Sequence, residues 1–489
     1  MNKFYITTTL PYVNSDPHIG FALEIIHADV IARYHALLGD EVFFNTGTDE
    51  HGSKIHRKAE EQGKDTQSYV DEYAEKFKLL KDRLNIFPDI HFVRTTDSHH
   101  KEAAQEFWKR CLANDDIYKK TYKIKYCVGC ELEKTDSELE DNKCPIHPNM
   151  EIEFIDEENY FFRFSKYQQA LLDLYKANPN FVVPSSRLGE ITKFVEGGLQ
   201  DFSISRLKEK MPWGVPVPDD DEQVMYVWFD ALVNYISTIG WPEDTENFEK
   251  LWGTKENPNG IQNAGKDNLR QQSAMWQAML LSAGLPNSKQ IMIHGFITSQ
   301  GQKMSKSLGN VVSPYELLEK LEGLGLSKDQ AIDSLRYYLT REIPTFEDGD
   351  FTWERFVESY NANLANGIGN LTSRILKMAL NAGMKFDAVQ NPQPLNNPLL
   401  DELKIDKAAD ELWDRMKKLD EYIQQQEPFK VIKTDPEKAK KDIEYLLLEL
   451  HDIALSLQTF LPNTAEQILN GLQNISEENI PRLFPRITE

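Results

Sequence analysis

Two stretches far apart in the chain carry residue types suited to handling phosphate. The first, Pro17-His18-Ile19-Gly20, follows the strand-like run Phe4-Tyr5-Ile6-Thr7-Thr8-Thr9 and opens a helix that runs apolar through Ile19, Ala22, Leu23, Ile26, Val30 and Leu37 to a stop at Gly39. Asp16 suits the helix cap, and Pro17 suits the first helical position, where a missing N–H costs nothing. His18 and Gly20 are then expected in the first turn, at the carboxyl end of the first strand, where free N–H groups and the helix dipole favour a phosphate. His18 can donate to that phosphate, and Gly20 lets a flat ring approach the backbone; a capped helix with a surface histidine is the alternative. The second stretch, Gly301-Gln302-Lys303-Met304-Ser305-Lys306-Ser307-Leu308-Gly309-Asn310, holds two lysines in a loop bracketed by glycine and serine. Their ammonium groups can close on a polyphosphate as charge moves to the leaving group. A lone Lys-x-x-Lys is otherwise a solvated loop.

A third constellation suits a metal. Cys127-Val128-Gly129-Cys130 and Cys144-Pro145-Ile146-His147 are separated by thirteen residues, two paired-ligand knuckles of the kind that hold a tetrahedral zinc ion, Zn2+. All four positions are filled by protein, so one structural zinc per chain is expected, clamping a segment too poor in apolar residues to build its own core. Cys111 reads as a buried core thiol. Asp49-Glu50-His51 ends a second strand beside His18, where an acid could hold a substrate amine or cap a helix. Gly265-Lys266-Asp267 precedes a helix expected over residues 269–283, and Met225 to Ala231 reads as an apolar strand running into a helix with Tyr235.

These residues need a scaffold. Apolar strands at 4–9, 41–44, 90–93 and 290–295 alternate with helices at 53–62 and 68–84, which predicts an α/β fold with a doubly wound parallel sheet. Composition changes over residues 114–221, and after about Tyr315 the pattern is helical, with helices expected at 328–341, 353–382, 401–426, 436–460 and 462–472 and a proline-rich connector at 391–398. A chain of 489 residues exceeds one core. Four cysteines in that length argue against a disulfide scaffold. No apolar run approaches the ~20 residues of a membrane span and no signal sequence is legible, so the cytoplasm is expected and no membrane. The net charge of −23 means that any nucleic-acid contact must use local patches, of which Lys417, Lys418, Lys430, Lys433, Lys438, Lys440 and Lys441 form one.

Pro17-His18-Ile19-Gly20 in the first half of a split sheet, with Lys303-Met304-Ser305-Lys306-Ser307 after the second half, resembles the paired signatures of class I aminoacyl-tRNA synthetases. Leu10-Pro11-Tyr12-Val13-Asn14, Gly47 to Gly52, Tyr226 to Ala231, His294-Gly295 and Asn361 to Arg374 make the chain similar to the methionyl-tRNA synthetase family within that class. The resemblance implies a split Rossmann-like sheet with a zinc-knuckle insertion, followed by an all-α anticodon-binding helix bundle. It divides the chain into catalytic halves at 1–113 and 222–315, the insertion at 114–221, a stem-contact linker at 316–355 and the anticodon domain at 356–489. It implies a reaction in which methionine's carboxylate attacks the α-phosphorus of ATP, supplied with Mg2+, before the acyl group passes to the terminal ribose of tRNA(Met), elongator and initiator.

By the same resemblance His18, Gly20, Lys303, Ser305 and Lys306 are catalytic. Lys266 and Asp267 join His18, Gly20 and the two lysines around ATP. Tyr12, Trp228, Tyr235 and Ile293 wall the methionine pocket, Leu10 and Ala231 line it, His294 closes it and Asp49 meets the ammonium. Asn370, Arg374 and Phe429 read the anticodon, within an amide and guanidinium row of Asn361, Asn366, Asn370 and Arg374. The chain departs from the family at three places. Phe21 replaces the second histidine of the first signature, a donor whose loss costs on the order of 10²- to 10³-fold in rate unless another group substitutes. Gln271 and Gln272 replace an aromatic and a histidine, and Phe429 replaces a tryptophan. A class I ligase for another amino acid such as cysteine, and a catalytically silent tRNA-binding relative, are the other readings. The lack of an extra RNA-binding domain after the bundle points to a monomer.

Overall fold

The computed structural model describes residues 2–130, 132–134, 138–304, 309–386 and 396–488. Six strands form its central sheet: β1 (Lys3–Thr8), β2 (Glu41–Thr48), β3 (His91–Arg94), β4 (Val182–Val183), β5 (Gly260–Gly265) and β6 (Gln290–His294), in the order β3-β2-β1-β5-β6-β4. Every neighbouring pair is parallel. The chain works outwards from β1 to β3, then returns to lay β5 on the other side of β1. Their crossovers leave in opposite directions, so a crevice opens past the carboxyl ends of β1 and β5. The sheet is the expected doubly wound one; β5 and the two-residue β4 were not legible beforehand.

Helix α1 (Ile19–Leu37) crosses from β1 to β2 and is buried on nearly every side, Glu24, His27 and Asp29 included. It begins two residues later than expected and is capped by His18 rather than Asp16: the Gly20 N–H donates to His18 Nδ1 at 3.0 Å. Asp16 is exposed and instead meets Lys76 Nζ at 2.8 Å. His18 is therefore the cap itself, outside the first turn. At the far end Gly39 adopts φ +87°, as a helix stop requires.

The expected strand at Met225 to Ala231 is corrected. The strand is Asp220–Met225, and it lies in a small antiparallel sheet with Pro216–Val217 and Ser205–Leu207. Val227–Ala231 is a short helix with Val227 and Phe229 buried, so a continuous apolar run there reflects burial and not strand pairing. Residues 269–283 are also not one helix: a wide, π-type turn at Gln271–Met275 precedes Trp276–Ser282. In the insertion, Ile117–Cys127 and Glu153–Phe162 pair as a long antiparallel ribbon.

The C-terminal region is helical as expected, with Lys328–Tyr337, Asn370–Asn381, Ile405–Gln426, Pro436–Leu457 and Pro462–Gln473 as its main members. The helix expected at 353–382 is interrupted by wide turns over Tyr360–Gly369, where Gly367 leaves helical geometry at ψ −109°. Residues 391–395 of the proline-rich connector lie outside the described residues. Arg336 joins this region to the sheet. It is completely buried; its guanidinium donates to Asp29 on α1 at 2.6 Å and to the carbonyls of Phe460 (2.8 Å) and Leu84 (3.2 Å). Breaking a buried pair leaves an uncompensated charge. Arg336→Met is expected to destabilise the folded chain by about 3–5 kcal/mol, read as a lower urea midpoint by tryptophan fluorescence; an unchanged midpoint would mean that this joint contributes nothing.

Candidate active site

The crevice beyond β1 and β5 holds a cleft of about 730 Å³ whose walls include Thr9, His18, Gly20, Phe21, Glu24, Asp267, His294, Phe296 and Lys303. Thus His18 and Lys303, remote in sequence, face one space. His18 accepts the Gly20 N–H at Nδ1, so its neutral ring carries the proton on Nε2 and can donate it. Burial lowers its pKa to about 4, which keeps it neutral. The ring folds so closely over Gly20 that a Cβ there would lie 2.8 Å from Cε1. The flat ring that Gly20 admits is that of His18. Phe21 stacks on the same imidazole at 4.3 Å between centroids and meets Phe77 edge-on. A ring that cannot donate therefore steadies one that can.

Across the cleft, His294 Nδ1 donates to the Gly295 carbonyl at 2.7 Å and Nε2 to Glu24 at 3.0 Å, an arrangement that needs the imidazolium. Burial opposes that charge, but Glu24, the carbonyl and Asp267 raise the pKa above its usual value. Asp267 opens on the cleft; the crowded walls raise its pKa, Lys303 opposes and Glu24 adds. Lys266 turns to Asp348 at 2.6 Å. Lys303 is held by a hairpin in which Gln302–Lys303 pairs with Ile297–Ser299. Ser305 and Lys306 lie outside the described residues.

A second pocket, of about 430 Å³, adjoins the first and shares Thr9 and Asn268 with it. Leu10, Tyr12, Asp49, Trp228, Ala231 and Tyr235 line it, as expected for one cavity. The backbone past β1 pairs once more with the end of β2, with Val13 N–H donating to the Asp49 carbonyl at 3.2 Å, which sets Tyr12 beside Asp49. Trp228 Nε1 donates to the Tyr12 hydroxyl at 2.8 Å. Two expected members are elsewhere: Ile293 is packed in the hydrophobic core, and His294 faces the first cleft. Of the acids in Asp49-Glu50-His51 only Asp49 reaches the pocket. Glu50 is taken by Arg94 at 2.7 and 2.8 Å, and His51 by Asp230 at 2.9 Å. Sequence reasoning missed Thr9, Asn234 and Asn268 in this wall, and Glu24 in the other. Gln271 and Gln272 both line the pocket because the wide turn at Gln271–Met275 presents consecutive residues to it; the Gln271 carbonyl oxygen is buried with no partner among the described residues.

Residues 4–151 and 129–376 match the model described as tRNA synthetases class I (M), and residues 389–485 match the anticodon binding domain of methionyl tRNA ligase. The chain belongs to the class I tRNA synthetases. It is 40% identical to a methionine–tRNA ligase of Thermotoga maritima over 95% of this chain and 74% of that one. Against a methionine–tRNA ligase of Thermosynechococcus vestitus it is 49% identical over 77% of this chain and 69% of the other. Its fold matches the Mycobacterium tuberculosis methionyl-tRNA synthetase in complex with methionyl-adenylate at a TM-score of 0.86 and 33% identity, covering 100% of this chain and 97% of that structure.

In this synthetase the insertion brings Cys127, Cys130, Cys144 and His147 together, their ligand atoms all within 4.8 Å of one another. His147 Nδ1 lies 3.8, 3.2 and 3.9 Å from the three sulfurs in chain order. Bonds of ~2.0–2.3 Å to a central ion imply tetrahedral edges of about 3.3–3.8 Å, so the residues present fit zinc. Only glycine suits position 129, where a Cβ would come within 2.5 Å of the His147 ring. Among the helical residues, Phe429 is 46% exposed and Asn370 is exposed, while Arg374 pairs with Asp420. Asn361 is tied to backbone instead. It exchanges two hydrogen bonds with the Ile487 backbone, at 2.9 and 3.0 Å, and clamps the C-terminal segment.

The His18 geometry makes a measurable demand. An exposed imidazole titrates near ~6.5, whereas this one stays neutral down to about 4. The unfolded chain binds that proton first, so this ring's contribution to stability is complete above pH ~6.5 and is lost as the pH falls towards 4. Nitrogen-15 histidine spectra, assigned with His18→Ala, should show the Nε2–H tautomer and a midpoint near 4; a midpoint near 6.5 would show that the ring is not enclosed.

Proposed function

We propose that this chain activates methionine with ATP, releasing pyrophosphate, and passes the methionyl group from the adenylate to the terminal ribose of tRNA(Met), elongator and initiator alike. The observation that carries the reading is the shared wall: the cleft with His18 and Lys303 and the aromatic pocket with Trp228 and Tyr235 meet at Thr9 and Asn268. A substrate with its side chain in the pocket presents its carboxylate at that junction, towards the α-phosphorus of a nucleotide in the cleft. No covalent nucleophile is required, so the protein contributes positioning and charge stabilisation.

In this reading Asp49 pairs with the α-ammonium. Leu10, Tyr12, Trp228, Ala231 and Tyr235 enclose the thioether, for which aromatic faces are favourable by up to about 1.5 kcal/mol. The neutral His18 donates Nε2–H to phosphate oxygen beside Gly20, and Asp267 accepts from the ribose. Lys303 and Lys306, with Ser305 between them, meet the departing pyrophosphate, and Mg2+ enters as the counterion of ATP. Lys266, turned to Asp348, has a supporting role beside the ATP site. Asn370, Arg374 and Phe429 meet the anticodon, the aromatic ring by stacking. The knuckle holds one structural zinc whose four ligands stand outside the amino-acid pocket, unlike a ligase that grips cysteine with its metal. We read the chain as a monomer acting in the cytoplasm; no helix among its described residues is long and apolar enough to cross a membrane.

Methionine-dependent exchange of labelled pyrophosphate into ATP tests this directly. The wild type should catalyse it, and Lys306→Ala should lower it by about 10²- to 10³-fold, the loss typical of one preorganised charge donor. Absence of exchange by folded wild type would sink the reading in favour of a silent tRNA-binding relative. Elemental analysis of purified protein should give one zinc per chain, lost in Cys144→Ser together with a lower melting temperature. A zinc-free wild type of unchanged stability would exclude the structural metal.

A further inference from the structure

Beside the cleft a single phenyl ring meets two ammonium groups. Phe296 is half-buried, and its backbone is clamped on both sides: its N–H donates to Asp348 Oδ1 at 3.0 Å, and its carbonyl accepts the Gly349 N–H at 2.9 Å. The ring therefore has a fixed place. Lys266 Nζ lies 4.6 Å from its centroid and Lys303 Nζ 5.1 Å, both inside the ~6 Å within which a cation is drawn to an aromatic face. The two lysines differ in what else they meet. Lys266 pairs with the other oxygen of Asp348 at 2.6 Å. Lys303 has no ion pair among the described residues, and Asp267 feels its charge only at longer range. Its backbone faces Thr298 across the hairpin, so the ammonium of this exposed side chain reaches back to the ring that stands just before Ile297.

That resting place differs chemically from a carboxylate. The face of a phenyl ring attracts positive charge through its quadrupole without occupying the N–H groups as a carboxylate does. All three donors of the ammonium stay available to a ligand. A carboxylate partner would have to be displaced before the lysine could turn to phosphate. Asp348 also offsets the Lys266 charge, which would otherwise repel a second ammonium at the same ring. We propose that Phe296 is a positioning residue: its ring gathers the Lys303 ammonium at the cleft before the nucleotide arrives, with its donors free for the polyphosphate. The inference rests on the proposed activation of methionine with ATP and deepens it. A lysine loses rotamer freedom when a ligand fixes it, and one already docked on a ring has lost part of that freedom beforehand. Phe296 acts through Lys303 and not on a reacting atom, so what it lowers is the cost of binding ATP and not the barrier of the chemical step.

The test is pyrophosphate exchange by the full chain at varied ATP. Phe296→Leu keeps an apolar side chain without an aromatic face. It should raise KM for ATP by roughly two- to fivefold, the worth of one exposed cation–π contact, with kcat kept. Phe296→Tyr brings back the ring and should bring back the lower KM. In a Lys303→Met background Phe296→Leu should have no further effect on KM, because the cation that the ring serves is gone. A second readout needs no activity. The Lys303 ε-methylene resonance, assigned with Lys303→Met, should be displaced by the ring current in the wild type and in Phe296→Tyr, and should return to the position of a solvated lysine in Phe296→Leu. A solvated position in the wild type overturns the proposal, whether or not Phe296→Leu folds. A KM that Phe296→Leu leaves unchanged overturns it as well, and so does a rise that persists in the Lys303→Met background. Absence of methionine-dependent exchange in a wild type that shows the displaced resonance overturns the proposed function instead, so the two failures are distinct.

Discussion

One carboxylate ties the sides of the crevice together. Glu24, in the second turn of α1, accepts both the backbone N–H and the hydroxyl of Thr9, at 2.7 and 2.5 Å, and the imidazolium of His294 at 3.0 Å. Its backbone carbonyl accepts from Asn263 on β5 at 2.8 Å. Thr9 is the first residue past β1 and His294 the last of β6, so a single residue fastens four elements where the sheet order reverses. A buried carboxylate without donors is costly, and charge-assisted bonds are about twice as strong as neutral ones. The same bonds that satisfy the Glu24 carboxylate hold the cleft walls at one separation. A site that works by positioning has little tolerance for a loose wall.

Several polar groups around the two cavities are held neutral or in pairs. His18 is neutral because it is enclosed, and its proton is placed by the Gly20 N–H. Glu50, which the chain sets next to Asp49, is paired with Arg94 and accepts from the hydroxyls of Thr48 and Thr96. Of the two acids Asp49 is the one that lines the aromatic pocket, and Glu50 joins β2 to β3. Phe21 follows the same logic. The position loses a donor, but its ring packs between His18 and Phe77 and limits how the remaining donor can turn.

Irregular backbone does much of the aiming. The wide turn at Gln271–Met275 brings two consecutive glutamines to one pocket, which a regular helix with ~3.6 residues per turn spreads to different faces. The extra pairing of Tyr12 with Asp49 beyond the regular ends of β1 and β2 brings an aromatic and an acid to the same edge. Such departures depend on what lies underneath: the glutamine turn on the buried Gln277, the Tyr12 edge on the indole of Trp228.

The sequence by itself determined the alternation of strands and helices, the position of His18 and Gly20 past β1, the knuckle spacing and the helical C-terminal region. Each of these is written in local periodicity, turn residues or ligand spacing, and needs no knowledge of a distant partner. Only the tertiary structure decided that His18 caps α1 in place of Asp16, that Asn361 clamps Ile487, and that His294 serves Glu24 in the cleft while Ile293 turns into the core. It also decided that Met225 ends a strand outside the main sheet. Those outcomes rest on contacts between residues far apart in the chain, where the choice of which neighbouring side chain points inwards is made by the partner it meets and not by its own type.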